Sequence, residues 1–315
     1  NLLLKKICVV GASGLVGLNL IKKIHGFDII GSYNKTPVNL ENIQLFQLDV
    51  TKHENCEQIL KFNPDFIINA TAISDVDYCE KFKDRAYSVN VLGTKNLVKI
   101  AKKLECKLIQ ISTDGIFSGK NESYIEDDLA NPVNYYGQTK LDSENEVKTL
   151  SDYLICRTNL LYGYVSENTL NERSNYSKPT NFVLWVLSEL KKTNHIQIVN
   201  DQFSNPTLVD NLSKIIEFSL KKNLVGTFHT TDISCISRFE FAKKIALKFG
   251  YSESLISEIS SEELNQFAPR PTKTCLDCSK IQKNNINLHS LDESLDMLFS
   301  TIKKHEPKLI HRDDF

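Results

Sequence analysis

Tyr136 precedes Lys140 by four residues in NYYGQTK (134–140). On a helix that spacing sets both side chains on one face. An ammonium beside a phenol favours the phenolate and readies the group for proton transfer. An incidental surface pair has the same spacing, so its surroundings decide. A second stretch with chemical capacity is GASGLVG, whose Gly11, Gly14 and Gly17 spell GxxGxxG. It follows the apolar run KKICVV and opens LVGLNLIKKI, where Leu15, Leu18, Ile21 and Ile24 recur at helical spacing. In that strand–loop–helix setting the pattern predicts a dinucleotide site. Gly11 permits the tight turn, Gly14 lets backbone approach a pyrophosphate, and Gly17 lets helix and strand pack closely. The helix N-terminus offers free N–H groups and partial positive charge to phosphate oxygens.

The end of the second strand bears on which dinucleotide is held. Sites that prefer NAD place an acid there, on the ribose 2′-hydroxyl. This chain reads GSYNKTP, with Ser32, Asn34 and Lys35 and no carboxylate. NADP is therefore favoured, with NAD the alternative. Asp49, closing the third strand as LDV, is placed to accept from an adenine amino group or to cap the next helix.

These groups need a scaffold, and the chain spells one out. Strands are predicted at KKICVV, FDIIGSY, IQLFQLDV, PDFIINATA, CKLIQIST and YLICRTNLLYG. Helices alternate with them: one after the glycine loop, a short one at CEQILKFN, a long one over Arg85–Leu104, and the Tyr136 helix. Near-continuous apolar strands alternating with helices indicate a parallel sheet covered on both faces, an α/β Rossmann-type doubly wound architecture. Residues 1–165 are read as the NAD(P)-binding domain. Residues 166–315 are read as a smaller substrate lobe, with the return of some elements to the sheet left open. The lobe's expected pieces are a polar loop over 166–179, a helix near Phe182–Leu190, the strand HIQIV, a helix near Asn211–Leu220, the run GTFHTT and the helix SRFEFAKKIALKFG.

Composition excludes several classes. A formal net charge of −1 invites neither nucleic acid nor anionic lipid. FVLWVLSEL is too short for a membrane span and carries Glu189. Lys5 and Lys6 break the N-terminal apolar run, and glycines stand where a signal peptide needs its cleavage site. Of the eight scattered cysteines several sit in expected strands as small buried hydrophobes, which argues for a reducing cytoplasm rather than a disulfide frame, and CLDC (275–278), without a second pair, reads as loop. No ligand cluster suggests a metal.

Further stretches complete a family resemblance. GxxGxxG, NATAISDVDYCE (69–80), SVNVLGTKNL (88–97), ISTDGIFSG (111–119), YYGQTK (135–140), RTNLLYG (157–163), VNDQFSNPT (199–207) and RPTKTCLD (270–277) occur in the order of an extended short-chain dehydrogenase/reductase. More closely, the chain resembles the dTDP-4-dehydrorhamnose reductase family of sugar-nucleotide reductases, over residues 6 to 280. The resemblance implies NADPH-dependent reduction of a 4-keto nucleotide-diphosphate sugar in deoxysugar or polysaccharide biosynthesis. It implies Tyr136 as general acid, Lys140 as its electrostatic helper and ribose ligand, and Thr113 on the substrate carbonyl. Cofactor contacts are implied for Gly11, Ser13, Gly14, Leu15, Val16, Asn34, Lys35, Asp49, Val50, Ala70, Thr71 and Ala72. Substrate contacts are implied for Asp114, Asn159, Gln202 and Arg270, with Asp201, Asn205 and Lys273 as further candidates. A homodimer is left open.

Two positions depart from the family pattern. Gly115 stands where an aromatic usually follows the aspartate, and Leu160 stands where a tryptophan is usual. The sugar therefore does not follow from the motif. Two rival readings use the same fold: a nucleotide-sugar epimerase or dehydratase with tightly held NAD, and a nonenzymatic regulatory subunit. The intact Tyr136, Lys140 and Thr113 oppose the second.

Overall fold

A computed structural model describes residues 4–165 and 181–311. The polar loop expected over 166–179 lies outside these. Six strands come first: β1 (Lys6–Val10), β2 (Asp28–Tyr33), β3 (Gln44–Gln47), β4 (Phe66–Asn69), β5 (Lys107–Thr113) and β6 (Tyr153–Thr158). Later strands are shorter: β7 (Leu161–Tyr162), β8 (Ile196–Val199), β9 (Phe203–Ser204), β10 (Thr207–Leu208), β11 (Gly226–His229), β12 (Ile236–Ser237) and β13 (Ile256–Ile259). The main sheet runs β11-β6-β5-β4-β1-β2-β3, with every pairing parallel. Reversal of strand order beside β1 makes this a doubly wound, Rossmann-type sheet and opens a crevice at the strands' C-terminal ends.

Alternation along β1 shows how both faces are covered. Ile7 and Val9 join Leu20 and Ile21 of the helix Leu15–Lys23 and Leu212 and Ile215 of the helix Val209–Lys221. Cys8 and Val10 point the other way, toward Leu97 and Ile100 of the helix Gly93–Leu104. A separate core joins Val183, Leu187, Phe241, Ile245, Leu295 and Leu298 beyond the sheet. It binds the helices Phe182–Lys191, Arg238–Lys248 and Leu291–His305 to one another.

The differences from expectation are local and have physical causes. The helix expected over Arg85–Leu104 starts at Lys83 and contains a π-helical turn, Ser88–Leu92, that carries Asn90 inward. At CEQILKFN the α-helix His53–Cys56 tightens into the 3-10 turn Glu57–Phe62. The single strand expected at YLICRTNLLYG breaks after Thr158, because Leu160 adopts φ 34° and the chain leaves the sheet to pair as β7 with β10. The run GTFHTT is a lobe piece of the kind the sequence left open to return to the sheet; its β11 extends the main sheet beside β6.

The expectation of unpaired cysteines fails at one pair. Cys235 and Cys275, forty residues apart, form a disulfide with Cα atoms 5.6 Å apart. The fold brings them together: β12 pairs with β9, and Phe203 also pairs with Lys273, so both segments flank one ribbon. The other six cysteines are free and buried, and burial pushes the thiols of Cys56, Cys106 and Cys156 up to about 12. Among the described residues no helix is long and apolar enough to cross a membrane.

Candidate active site

At the end of β1 the chain turns at Gly11 with φ 95°, and the N–H groups of Gly11 and Ala12 both donate to the Ser32 carbonyl at 3.1 and 2.7 Å. A Cβ on Gly17 would stand 2.1 Å from the Gly11 carbonyl oxygen, so helix and strand can touch only through glycine. Gly14 differs. A Cβ there would meet only that same oxygen, at 3.4 Å, an ordinary contact. Protein packing does not demand glycine at 14, and the space it leaves lies over the helix N-terminus. That N-terminus has neither a side-chain cap nor an acid in its first turn. Its donors are thus available to an anion, as a bound pyrophosphate requires.

A groove of about 960 Å³ runs from this loop past Ser13, Asn34, Lys35, Asp49 and Val50. Ala70, Thr71 and Ala72 form its inner wall and are shared with a second cleft of about 490 Å³ that Leu15 and Val16 also line. Asn69 stiffens this lip by accepting from Thr71 N and Oγ1 at 3.1 and 2.6 Å. One Asp49 oxygen accepts from Thr51 N and Oγ1; partial burial pushes its carboxyl up, but these bonds hold it below the ordinary value.

The second cleft contains Thr113, Tyr136 and Lys140. The helix Tyr135–Val147 is capped by Asn134, whose Oδ1 accepts from Gly137 N at 2.9 Å. Its Tyr136, Lys140 and Glu144 repeat every four residues and form a wall against β5. Lys140 Nζ donates to the Ile111 carbonyl at 2.7 Å. Burial presses its pKa down to about 8, partly opposed by the Glu144 charge. The expected lowering of the Tyr136 pKa by Lys140 does not occur. Burial dominates and raises the phenol well above its ordinary value; a Thr113 hydrogen bond pulls the other way, and Asp114 adds to the rise. Glu144 accepts from both Arg157 Nε and Nη2 at 2.9 and 2.8 Å and from Ser112 Oγ at 2.6 Å, tying the helix to β5 and β6.

Thr113 Oγ1 accepts from Gly115 N and donates to Asp114 Oδ1, both at 3.0 Å. Thr274 donates to the other Asp114 oxygen. Burial still raises Asp114 to about 6, with Arg238 opposing the rise more weakly than these bonds. Asn159, Gln202 and Arg270 line the same cleft, as do Gly115 and Leu160. A Cβ at 115 would make only ordinary contacts with Thr113 and Tyr136, so packing does not demand glycine there. Three candidates lie elsewhere. Asp201 accepts from Ser261, Asn205 accepts from Leu276 N, and Lys273 is paired with Glu122.

Two residues not singled out in the sequence join the site. Asn90 bonds Ile73 N and O at 2.8 and 3.1 Å and Thr139 Oγ1 at 3.0 Å, locking the loop after β4 to the Tyr136 helix. Its only sequence signal is a polar residue among inward-facing helix positions. Arg238 lines the cleft; in SRFEF it reads as an ordinary first-turn arginine.

A family model described as the RmlD substrate binding domain matches residues 5–303. The chain belongs to this family. Among its relatives, the probable low-salt glycan biosynthesis reductase Agl14 of Haloferax volcanii is 29% identical, over 87% of this chain and 90% of that protein. The dTDP-4-dehydrorhamnose reductase of Aggregatibacter actinomycetemcomitans is also 29% identical, over 88% and 92%. The crystal structure of dTDP-4-dehydrorhamnose reductase from Bacillus anthracis in complex with NADP superposes with a TM-score of 0.83 at 30% identity, covering 95% of this chain and all of that one.

Proposed function

We propose that this RmlD-family chain reduces the 4-keto group of a nucleotide-diphosphate sugar with NADPH, in the making of a deoxysugar or polysaccharide. The observation that carries the reading is the meeting of two spaces. An anion-ready dinucleotide groove opens, across the Ala70–Ala72 lip, into a cleft holding a protonated phenol beside a threonine hydroxyl. The reductases among the relatives, one of them crystallised with NADP, support it. The exposed Lys35 and the lack of an acid after β2 favour the 2′-phosphate.

When bound, the reduced nicotinamide supplies a hydride to the ketone carbon. The chain's residues then manage the oxygen. Tyr136, kept protonated by burial, donates its proton as the oxygen gains charge. Thr113, whose single hydroxyl proton rests on Asp114 in the free protein, turns that proton to the oxygen once substrate is bound and orients it. Lys140 is anchored on the Ile111 carbonyl and retains two donors for ribose hydroxyls.

The test is NADPH oxidation against a panel of nucleotide-linked 4-keto sugars. Tyr136→Phe should lower turnover by roughly 10²–10⁴ while NADPH affinity stays near wild type. Wild-type-like turnover in the variant, or no turnover by wild type on any 4-keto sugar, would refute the proposal.

A further inference from the structure

Two guanidinium groups enter the substrate cleft, and they are not equivalent. Arg270 Nη1 donates to Asp77 Oδ1 at 3.0 Å and to the Ala268 carbonyl at 2.7 Å. Its charge is already matched by a carboxylate. Arg238 opens the helix Arg238–Lys248, and its backbone N–H donates to the Gln202 carbonyl at 3.0 Å. Its side chain is half-buried and rests over the Phe182 ring, 5.8 Å from the centroid. Among the described residues its guanidinium makes no hydrogen bond and no ion pair. The Asp114 charge acts on it without a direct bond, while the two Asp114 oxygens accept from Thr113 and Thr274.

A guanidinium carries five donors in a planar fork suited to a carboxylate or phosphate. Holding one partly desolvated without an acceptor is costly, and a bidentate anion removes that cost. We propose that Arg238, rather than Arg270, is the cleft's anion receptor and grips a paired-oxygen anion of the substrate. This rests on the reading of the cleft as a nucleotide-sugar site. Two parts of such a substrate present that chemistry: the diphosphate, and a carboxylate on the sugar of an acidic nucleotide sugar. Arg270, restrained by Asp77, adds a second positive wall without being the primary contact.

Calorimetry on the NADPH-loaded protein tests this with dTDP, UDP, UDP-glucose and UDP-glucuronate as probes. Arg238→Met keeps the aliphatic stem over Phe182, and Arg238→Lys keeps the charge without the fork. With the diphosphate as the anion, Arg238→Met should weaken every nucleotide that wild type binds by roughly 10- to 100-fold. With a sugar carboxylate as the anion, the loss should be confined to UDP-glucuronate. In both cases Arg238→Lys should recover only part of the affinity. Binding within twofold of wild type for every probe in Arg238→Met would overturn the proposal, as would a larger loss in Arg270→Met or failure of wild type to bind any probe. NADPH titration of the same proteins separates the two claims. Failure of wild type to bind NADPH sinks the reductase reading, whereas intact NADPH binding with unchanged anion affinity sinks only the role of Arg238.

Discussion

Tyr136 and Lys140 stand one helical turn apart in the same water-poor wall, and burial acts on them in opposite directions. It keeps the phenol neutral and presses the ammonium toward neutrality. In the proposed reduction Tyr136 must be loaded with a proton, so the first effect serves that role. The second is a cost to the fold. Lys140 in the folded chain titrates near 8 against an ordinary 10.5, so between those values the unfolded chain binds more protons. Stability therefore rises with pH through this window, and the penalty is fully present below about 8. Lys140→Met lacks the titrating group. The stability of wild type relative to the variant should climb by up to roughly 3 kcal/mol between pH 7.5 and 10.5 in urea titrations. Parallel pH profiles would show that the ammonium is well solvated. At this scale, Thr113, Tyr136 and Lys140 were readable because each sits in a contiguous motif. Arg238 and the restraint on Arg270 were not: the first depends on a helix start folding over the cleft, the second on Asp77 meeting a loop nearly two hundred residues away.

Among the elements, the glycine loop separates two demands that its motif presents as one. Gly17 answers to packing, since any Cβ there collides with the Gly11 carbonyl, and Gly14 answers to the groove. Gly17→Ala should cost about 1–3 kcal/mol or more of stability, the scale of overpacking that the backbone must relieve. Gly14→Ala should leave the melting temperature almost unchanged while weakening NADPH at least tenfold. Equal melting losses in the two variants, followed by differential scanning calorimetry, would remove the distinction. Most strands and helices before residue 158 were readable because each strand's apolar run is buried on both faces of one sheet and each helix's apolar stripe meets one face. The π turn around Asn90 was not, since its wider winding is set by bonds to Ile73 and Thr139 from other segments. Nor was the break at Leu160, where the left-handed backbone is held by pairing with the distant β10.

In the whole molecule, the late chain finishes what the early chain begins. Asp210 and Ser213 bond Asn19, and Asp210 also pairs with Lys23, so the helix Val209–Lys221 clamps the helix of the glycine loop. β11 covers the edge of β6. A chain ending at residue 165 should therefore fail as a soluble monomer, since Leu20, Ile21 and Ile24 lose Leu212, Ile215 and Ile216 as cover. A monodisperse fragment in light scattering, with the full chain's affinity for NADPH, would contradict this. The same closure has a consequence in time. During synthesis, β6 leaves the ribosome well before β11 exists, and the roughly 70 intervening residues take about 3 to 14 seconds to appear at about 5–20 residues per second. For that interval the edge of YLICRT is an unpaired parallel strand, the kind of surface that recruits other strands. The nascent chain is thus most open to misassembly after the helix Tyr135–Val147 has been made and before its sheet has an end. A holding chaperone would be needed there, and a translational pause between residues 160 and 225 would lengthen the danger rather than relieve it.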